Sequence, residues 1–444
     1  MQLSSIFSGE KGGILRKLTT AFGGQLGVFF FGAISQGVIA ARILGPEGKG
    51  AFSLAVLVAG AVYTIFHGSL GAANAHYSGR NPEWRGGIIG NSFAIAIIGG
   101  SILALLFRSL ASTVIPHFYP DVDVQLLRIV AFAIPGMLLF EYSNNILLGL
   151  NRIKQFSLIL VSREFIFLLG MAMLAIFGLL TVRTALLAWV VALAMLAAVS
   201  GGLTWTGTKV KLRIDPGKWL KMFKFSFQAH IANLTTYFRL HAEKFILFHF
   251  LDLSELGIYT LVVMFLPILY HLPDAAAHVL IPHISGKGDE SGNVLTPQMC
   301  RVVFFITFLL AIVVALLGKW AIILIPGREF LPAYPALLIL LPGTVVSSLG
   351  RILAGDLAGR GKPRYAMWIS VFILIAKVAV AWVLIPKFGI AGAALAASLT
   401  HALNGILFLA AFLYESKASL IDTILIKWTD IACSIRILKS AISK

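Results

Sequence analysis

Ten charged side chains interrupt stretches that are otherwise too apolar for water, and they are the residues with which this chain could do chemistry: Glu141, Arg163, Glu164, Arg239, Glu243, Lys244, Asp274, Arg351, Asp356 and Lys377. A charge at mid-bilayer costs about 2.5–3.5 kcal/mol on insertion scales, so each should face another protein group or water. The cations Arg239, Arg351, Lys377 and Arg163 suit an anionic substrate. Phosphate oxygens take charge-assisted hydrogen bonds from them, and an arginine fork binds two oxygens at once. The acids Glu141, Glu243 and Asp274 suit an exchangeable proton or sodium ion, because a carboxyl group in an apolar setting can exchange its proton near neutrality. Glu141 is the favoured one, since Asn144 and Asn145 lie one turn along and could complete a polar cage. The same residues also admit a plain reading as ion pairs that fix helix packing. Glu141 and Arg163 fall at similar depth on consecutive antiparallel segments, Arg239 and Glu243 are one helical turn apart, and Lys377 could pair with Asp356 or Asp274. Arg128 lies near a segment end, where it can snorkel.

The elements that carry these charges are membrane helices. The chain is 58% hydrophobic and only 12% charged, with mean hydropathy +0.90, whereas soluble domains carry about 25% charge. Apolar stretches of about 20 residues, each enough for a ~30 Å hydrocarbon layer, follow one another with short gaps. Twelve spans are expected, near 20–41, 51–74, 87–107, 124–148, 156–180, 184–206, 225–250, 257–281, 299–318, 333–357, 365–385 and 389–414. The first follows a basic segment without a small-residue cleavage site and reads as a retained helix. Abundant glycine and proline inside apolar segments predict broken or closely packed helices.

With the N-terminus inside, 23 Lys and Arg fall on the inner side and 7 outside, which predicts that both termini are cytoplasmic; the expected location is the plasma (inner) membrane. The net charge of +17 belongs to this asymmetry and to anionic lipid, so no nucleic-acid partner is needed. The expected organisation is a cytoplasmic segment 1–19, a six-helix bundle 20–206, a basic linker or interfacial helix 207–224, a second bundle 225–414, and a cytoplasmic amphipathic tail 415–444. In the tail, Ile421, Ile424, Leu425, Trp428, Ile431, Ile435 and Leu438 share one face, with Lys417, Lys427, Arg436 and Lys439 mostly off it.

Other motifs weigh less. Gly45-Pro46-Glu47-Gly48-Lys49-Gly50 lacks the spacing and following Ser/Thr of a phosphate-binding loop. Asp121-Val122-Asp123 follows Pro120 in a short outer loop, where a helix cap is expected rather than a metal pair. Cys300 and Cys433 make neither a disulfide framework nor a metal cluster. His271 and His278 hint at a proton-sensitive face around Asp274. Gln25, Gln36, Asn74, Asn144, Asn145, Asn233 and Asn404 could line a sugar-accepting cavity, although hydrogen bonding between helices is their default role.

The two bundles read as repeats. Gly50-Ala51-Phe52-Ser53-Leu54 aligns with Gly257-Ile258-Tyr259-Thr260-Leu261, Ile134-Pro135-Gly136 with Leu341-Pro342-Gly343, and Gly149-Leu150-Asn151-Arg152-Ile153-Lys154 with Gly359-Arg360-Gly361-Lys362-Pro363-Arg364. Parallel repeats of this kind create a cavity between rocking bundles in many transporters. By the offset of 210 that relates the last pair, Glu141 maps onto Arg351. Together with Ala41-Arg42-Ile43-Leu44-Gly45-Pro46-Glu47-Gly48 and Gly68-Ser69-Leu70-Gly71, these turns resemble the oligosaccharide flippases of the polysaccharide transporter branch of the multidrug/oligosaccharidyl-lipid/polysaccharide (MOP) exporter superfamily, over about 20–414. The resemblance implies an all-α membrane fold of two six-helix bundles in a V with a central cavity. It also implies transfer of undecaprenyl-diphosphate-linked oligosaccharide to the outer leaflet by alternating access, with no cofactor beyond a coupling proton or sodium. The partners implied are the lipid-linked glycan, membrane lipid, and a glycan polymerase or glycosyltransferases. Gln228 follows Phe225-Ser226-Phe227 where the family often has proline, and the seventh span offers His241 and Glu243 where the family often has Asp. A multidrug cation antiporter of the same superfamily is the alternative, kept open by Glu141, Glu164, Glu243 and Asp274. An enzyme is not expected, because a membrane glycosyltransferase needs a larger outer loop than 108–123.

Overall fold

The computed structural model describes residues 23–113, 123–208, 210–427 and 430. The expectations for segment 1–19, the start of the first span, Asp121, Lys209, Trp428 and the tail from Ile431, including Cys433, Ile435, Arg436, Leu438 and Lys439, lie outside these residues.

Among the described residues all regular structure is helical, and the helices group into twelve rods: 23–44, 46–80, 82–113, Val124–Gly149, Ile153–Ile176, Val182–Thr208, Pro216–Phe250, 253–287, Asp289–Leu324, Ala333–Gly359, 364–388 and 390–416. These are the first to twelfth spans below. Among the described residues nine stretches are long and apolar enough to cross a membrane, two of them double, and Pro216–Phe250 is not among the nine. Gly23–Phe66 has 44 residues, about 66 Å of helix at ~1.5 Å per residue against a ~30 Å hydrocarbon core. It breaks at Gly45 (φ 67°, ψ −176°), a conformation open to glycine, followed by Pro46, which has no N–H to continue the ladder. Lys49 Nζ donates to Gln36 Oε1 at 2.6 Å, although a straight helix would hold these residues about 20 Å apart, so the chain turns back here. Arg364–Ser416 does the same at Gly389 (φ 56°, ψ −134°). A Cβ on Gly392 would lie 3.1 Å from Ile385 Cα, where a straight helix would keep about 10 Å.

The second span contains a different kind of break. Gly68 and Ser69 are both left-handed (φ 58° and 48°) between Phe66 and Leu70. The carbonyls released there find new donors: His67 Nδ1 bonds Thr64 O at 2.9 Å, and the Tyr142 hydroxyl donates to His67 O at 2.8 Å. Ser69 carries a left-handed penalty of about 1–2 kcal/mol. Its hydroxyl bonds His67 Nε2 (3.1 Å) and accepts from Asn233 Nδ2 (2.9 Å). The Gly68-Ser69-Leu70-Gly71 motif is therefore a serviced interruption of a membrane helix.

The chain divides into two compact units, Met1–Tyr237 and Phe238–Lys444. In the first, Phe140, Leu147, Ile159, Leu193 and Leu196 form a core between the fourth, fifth and sixth spans. In the second, Leu280, Ile284, Ile352, Leu353, Leu357 and Phe412 do so around the tenth span. Helices approach closely where side chains are small: a Cβ on Gly355 would lie 2.9 Å from Ala277 Cα. Large apolar side chains such as Phe30, Leu105, Ile176, Leu316, Trp320 and Trp368 are exposed. A soluble monomer rarely presents apolar surface on this scale; hydrocarbon accommodates it.

The repeat is visible in atomic detail at one turn. After the fourth span Arg152 N bonds Leu147 O at 2.9 Å and Asn151 N bonds Leu148 O at 2.9 Å, with Asn151 at φ 60°. After the tenth, Lys362 N bonds Leu357 O at 2.9 Å and Gly361 N bonds Ala358 O at 3.0 Å, with Gly361 at φ 72°. Both are Schellman caps closed by a left-handed residue. Ser78 and Ser285 occupy related positions as well, donating to Ile146 O (3.5 Å) and Gly359 O (3.1 Å). At the start of the fourth span the Asp123 side chain accepts from Gln125 N at 2.9 Å, the cap its position suggests.

Candidate functional site

Inside the unit Phe238–Lys444 a cavity of about 230 Å³ is lined by Arg239, Glu243, Tyr270, Arg351, Lys377 and His401, among others. The seventh span presents Arg239 and Glu243 one turn apart, the tenth presents Arg351, and the eleventh presents Lys377. Lys377 Nζ donates to Glu243 Oε2 at 3.0 Å, and both side chains are buried. Arg351 donates through Nη1 to both oxygens of Asp274, at 2.6 and 2.8 Å. It lies 3.7 Å from the centre of the Tyr270 ring, and the Tyr270 hydroxyl shares a hydrogen bond with His401 Nδ1 at 3.2 Å. The Nε of Arg239 is buried with no hydrogen-bond partner among the described residues. Beside this wall, Lys244 Nζ contacts His241 Nδ1 at 3.3 Å. The cavity wall thus carries three cations against one carboxylate, with Asp274 behind Arg351.

Five of the seven candidate residues therefore gather at this cavity: Arg239, Arg351, Lys377 and Glu243 on its wall and Asp274 through Arg351. Arg163 and Glu141 lie in the unit Met1–Tyr237. Arg163 bonds Glu164 Oε1 through Nε (3.0 Å) and Nη2 (2.5 Å) and stacks on Phe140 at 5.2 Å. Glu141 Oε1 accepts from Asn145 Nδ2 at 2.8 Å. Similar depth on neighbouring spans suggested that Glu141 and Arg163 would face each other. Depth fixes height along the membrane normal, while direction turns about 100° per residue, and Arg163 turns to its own neighbour. The partner of Lys377 is Glu243, 134 residues away, rather than Asp356 or Asp274. Asp356 is held at the end of the tenth span by Thr296 Oγ1 (2.6 Å) and Arg360 Nε (2.5 Å).

Around Glu141 the site is tight and polar. A Cβ on Gly71 would lie 2.7 Å from both Glu141 Oε1 and Asn145 Nδ2, so any side chain there would collide with them. Both polar atoms of the Asn144 side chain are buried without a hydrogen-bond partner among the described residues. Of the other amides, Asn74 donates to Ser92 Oγ (2.9 Å) and Tyr142 O (3.3 Å), and Asn233 binds Ser69. Asn404 lines the cavity. Tyr270, His401, Ser347 and Ser370 are cavity residues that the charge pattern did not single out. The one available signal was that Tyr270 precedes Asp274 by a turn.

Outside the membrane, acids are clasped. Arg301 binds Asp430 through Nε (2.6 Å) and Nη2 (2.9 Å) and donates through Nη1 to Asp422 O. Lys427 pairs with Asp422 at 2.7 Å. The hydrogen bonds from Arg301 hold the Asp430 carboxyl below the usual aspartate range, and the Lys427 ammonium does the same for Asp422. No group of three His, Cys, Asp or Glu gathers as a metal site among the described residues.

Among the described residues, twelve helical rods with a cation-rich cavity in one compact unit define a multi-pass membrane protein. The sequence profile of the polysaccharide biosynthesis protein family matches residues 39–335, and the chain belongs to that family. Its fold is that of the MOP superfamily. It is similar to an inward-facing multidrug resistance MATE family transporter (TM-score 0.76, 12% identity, covering 88% of this chain and 94% of that one). It is also similar to the lipid II flippase MurJ in an inward closed conformation (TM-score 0.73, 14% identity, 92% and 89% covered). Among curated proteins it is 24% identical over 242 residues to a probable low-salt glycan biosynthesis flippase, Agl15, of Haloferax volcanii. That match covers 52% of this chain and 50% of the relative, so it spans about half the relative's length.

Proposed function

We propose that the protein is a flippase carrying undecaprenyl-diphosphate-linked oligosaccharide from the cytoplasmic to the outer leaflet of the plasma membrane, with both termini cytoplasmic. The observation that carries this reading is the wall of Arg239, Arg351 and Lys377 against the single carboxylate Glu243. A cavity for organic cations would need the opposite balance, which disfavours the ion-coupled multidrug antiporter. Family membership and the curated relative support a glycan substrate.

The ion pairs give the cavity a way to bind and release. A diphosphate competes with Asp274 for Arg351 and with Glu243 for Lys377, while Arg239 supplies charge that no carboxylate within ion-pair distance neutralises among the described residues. Departure of the substrate lets the carboxylates re-pair, which avoids leaving a buried cation bare. Alternating access then needs a ligand or ion that favours one state over another. Glu141, in its cage with Asn145, is the candidate proton or sodium site in the other unit, with Glu243 and Asp274 as further candidates. The glycan is then handed to a polymerase or glycosyltransferase; the protein itself performs transport and no catalysis.

The deciding experiment compares surface-glycan export and drug efflux in a deletion strain. Loss of export with drug tolerance unchanged is the expected outcome. Intact glycan with lost drug efflux would overturn the proposal in favour of the antiporter.

A further inference from the structure

Arg351 rests on a floor that its ion pair does not require. Its Cζ lies 3.7 Å from the centre of the Tyr270 ring, the spacing of carbon planes in contact and well inside the ~6 Å reach of a cation–π interaction. The ring is buried and its hydroxyl is fastened to His401 of the twelfth span at 3.2 Å. The His401 ring meets it edge-on, at 69° and 6.2 Å between centres. Tyr270 and Asp274 are one turn apart on the eighth span, so a single helix face supplies both the floor and the edge partner of one guanidinium. Both contacts to Asp274 run through Nη1, and the Nε and Nη2 hydrogens are not used by that carboxylate.

We infer that Tyr270 is a positioning residue for anion recognition in this cavity, holding the Arg351 fork in one plane so that it meets a diphosphate already oriented. This rests on the proposal that the cavity takes the diphosphate of a lipid-linked glycan. A long side chain immobilised only on binding gives up about 0.5–1.5 kcal/mol of rotamer freedom; an arginine stacked beforehand has already surrendered it. The stack also accounts for arginine at position 351. An ammonium group has no plane for the ring to orient and cannot present two parallel donors. When Asp274 gives way to phosphate oxygens, the ring remains and the fork keeps its direction.

A double-mutant cycle on the full-length protein in detergent, read as affinity for undecaprenyl diphosphate, tests this. Tyr270→Leu is expected to weaken binding about two- to twelvefold, the rotamer freedom of one long side chain now surrendered on binding. Tyr270→Phe, which keeps the floor and loses the tie to His401, should bind as wild type does. In an Arg351→Lys background the Tyr270→Leu loss should largely disappear, because the orientation it protects is already absent. Equal losses in both backgrounds, or a Phe variant as weak as Leu, would overturn the inference and leave Tyr270 a packing residue. Should Tyr270→Leu fail to fold, Tyr270→Met, closer in volume, carries the same cycle. Wild-type binding by Arg351→Ala would instead strike the diphosphate proposal. Wild-type binding by Tyr270→Leu alongside a weakened Arg351→Ala would strike only the role of Tyr270.

Discussion

The turns after the fourth and tenth spans share a backbone, down to the two hydrogen bonds that close each cap, yet the helices that lead into them carry opposite chemistry. In the unit Met1–Tyr237 the position of Glu141 is served by an amide, Asn145, and walled by Gly71. Near it run an aromatic and histidine cluster, with Tyr63 and His67 rings 4.8 Å apart and His67 and His230 5.3 Å apart. In the unit Phe238–Lys444 the related position is Arg351, and its neighbours are charged: Asp274 directly, with Arg239, Glu243 and Lys377 around the cavity. The frame that orients the helices has been kept while the side chains inside it diverged. One unit gathers cations around a cavity, and the other sets the Glu141 carboxyl beside an amide.

Substitutions at the buried pair should break that contrast most sharply. Lys377→Ala leaves Glu243 buried without its ion-pair partner, and should destabilise the protein by about 3–5 kcal/mol, read as a lowered Tm in detergent, with export lost. Lys377→Met with Glu243→Met should recover most of the stability, since well-packed apolar pairs replace buried ion pairs at little cost, but not export. Export by that double variant would mean that the cavity charges serve packing alone.

Arg351 comes next, and here the partner is only half-buried. Arg351→Ala should insert and fold but fail to export glycan, whereas Arg351→Lys should keep part of the rate by preserving charge without the fork. Full export by Arg351→Ala, measured as surface glycan, would remove it from the binding wall.

Glu141→Gln sharpens the comparison from the other side. Glutamine can still accept from Asn145, so stability should hold while transport in reconstituted vesicles no longer responds to imposed proton or sodium gradients. Unchanged gradient dependence would discharge Glu141 from coupling. Tyr142→Phe is expected to cost about 0.5–1.5 kcal/mol, or more if His67 O is left dry, through loss of the hydroxyl that serves the broken second span. Thermal unfolding in detergent measures it.

The smallest effect concerns the clasp between Arg301 and Asp430. A carboxyl held below its ordinary pKa stabilises the clasp at every pH above that ordinary value, about 3.9 for aspartate, and loses it as pH falls through the depressed one. Proteolysis after residue 416 should therefore stay constant from pH 8 to about 5 and rise only well below 4. A rise already at pH 6 would show that something other than Asp430 holds the segment.

Much of the frame was legible from residue types. Gly45-Pro46 announced one turn, Gly359-Arg360-Gly361-Lys362-Pro363 announced another, and Asp123 announced a cap, because each depends on local conformation. The charged positions were legible too, since a charge in hydrocarbon is conspicuous. Their partnerships were not: Lys377 and Glu243 are 134 residues apart, Arg351 and Asp274 are 77 apart, and no local rule connects spans that meet only after packing. Tyr270 and His401 escaped notice for a related reason. An aromatic ring in a membrane helix looks like any other apolar residue until the cation above it is located. The break at Gly68-Ser69 also gave no warning, because its support comes from Tyr142 and Asn233 on other spans.

One further consequence follows from the seventh span, which runs unbroken from Pro216 to Phe250. Its 35 residues make a rod of about 52 Å at ~1.5 Å per residue, longer than the ~40–45 Å of a whole bilayer with its headgroups. Standing upright it would project beyond the lipid, and Lys218, Lys221 and Lys224 crowd one end of it. Arg239 lies fifteen residues beyond Lys224, about 22 Å further along by the same rise. The span is thus a ruler graduated in cations, one unbroken helix keeping the lysine collar and the cavity arginine at a fixed separation.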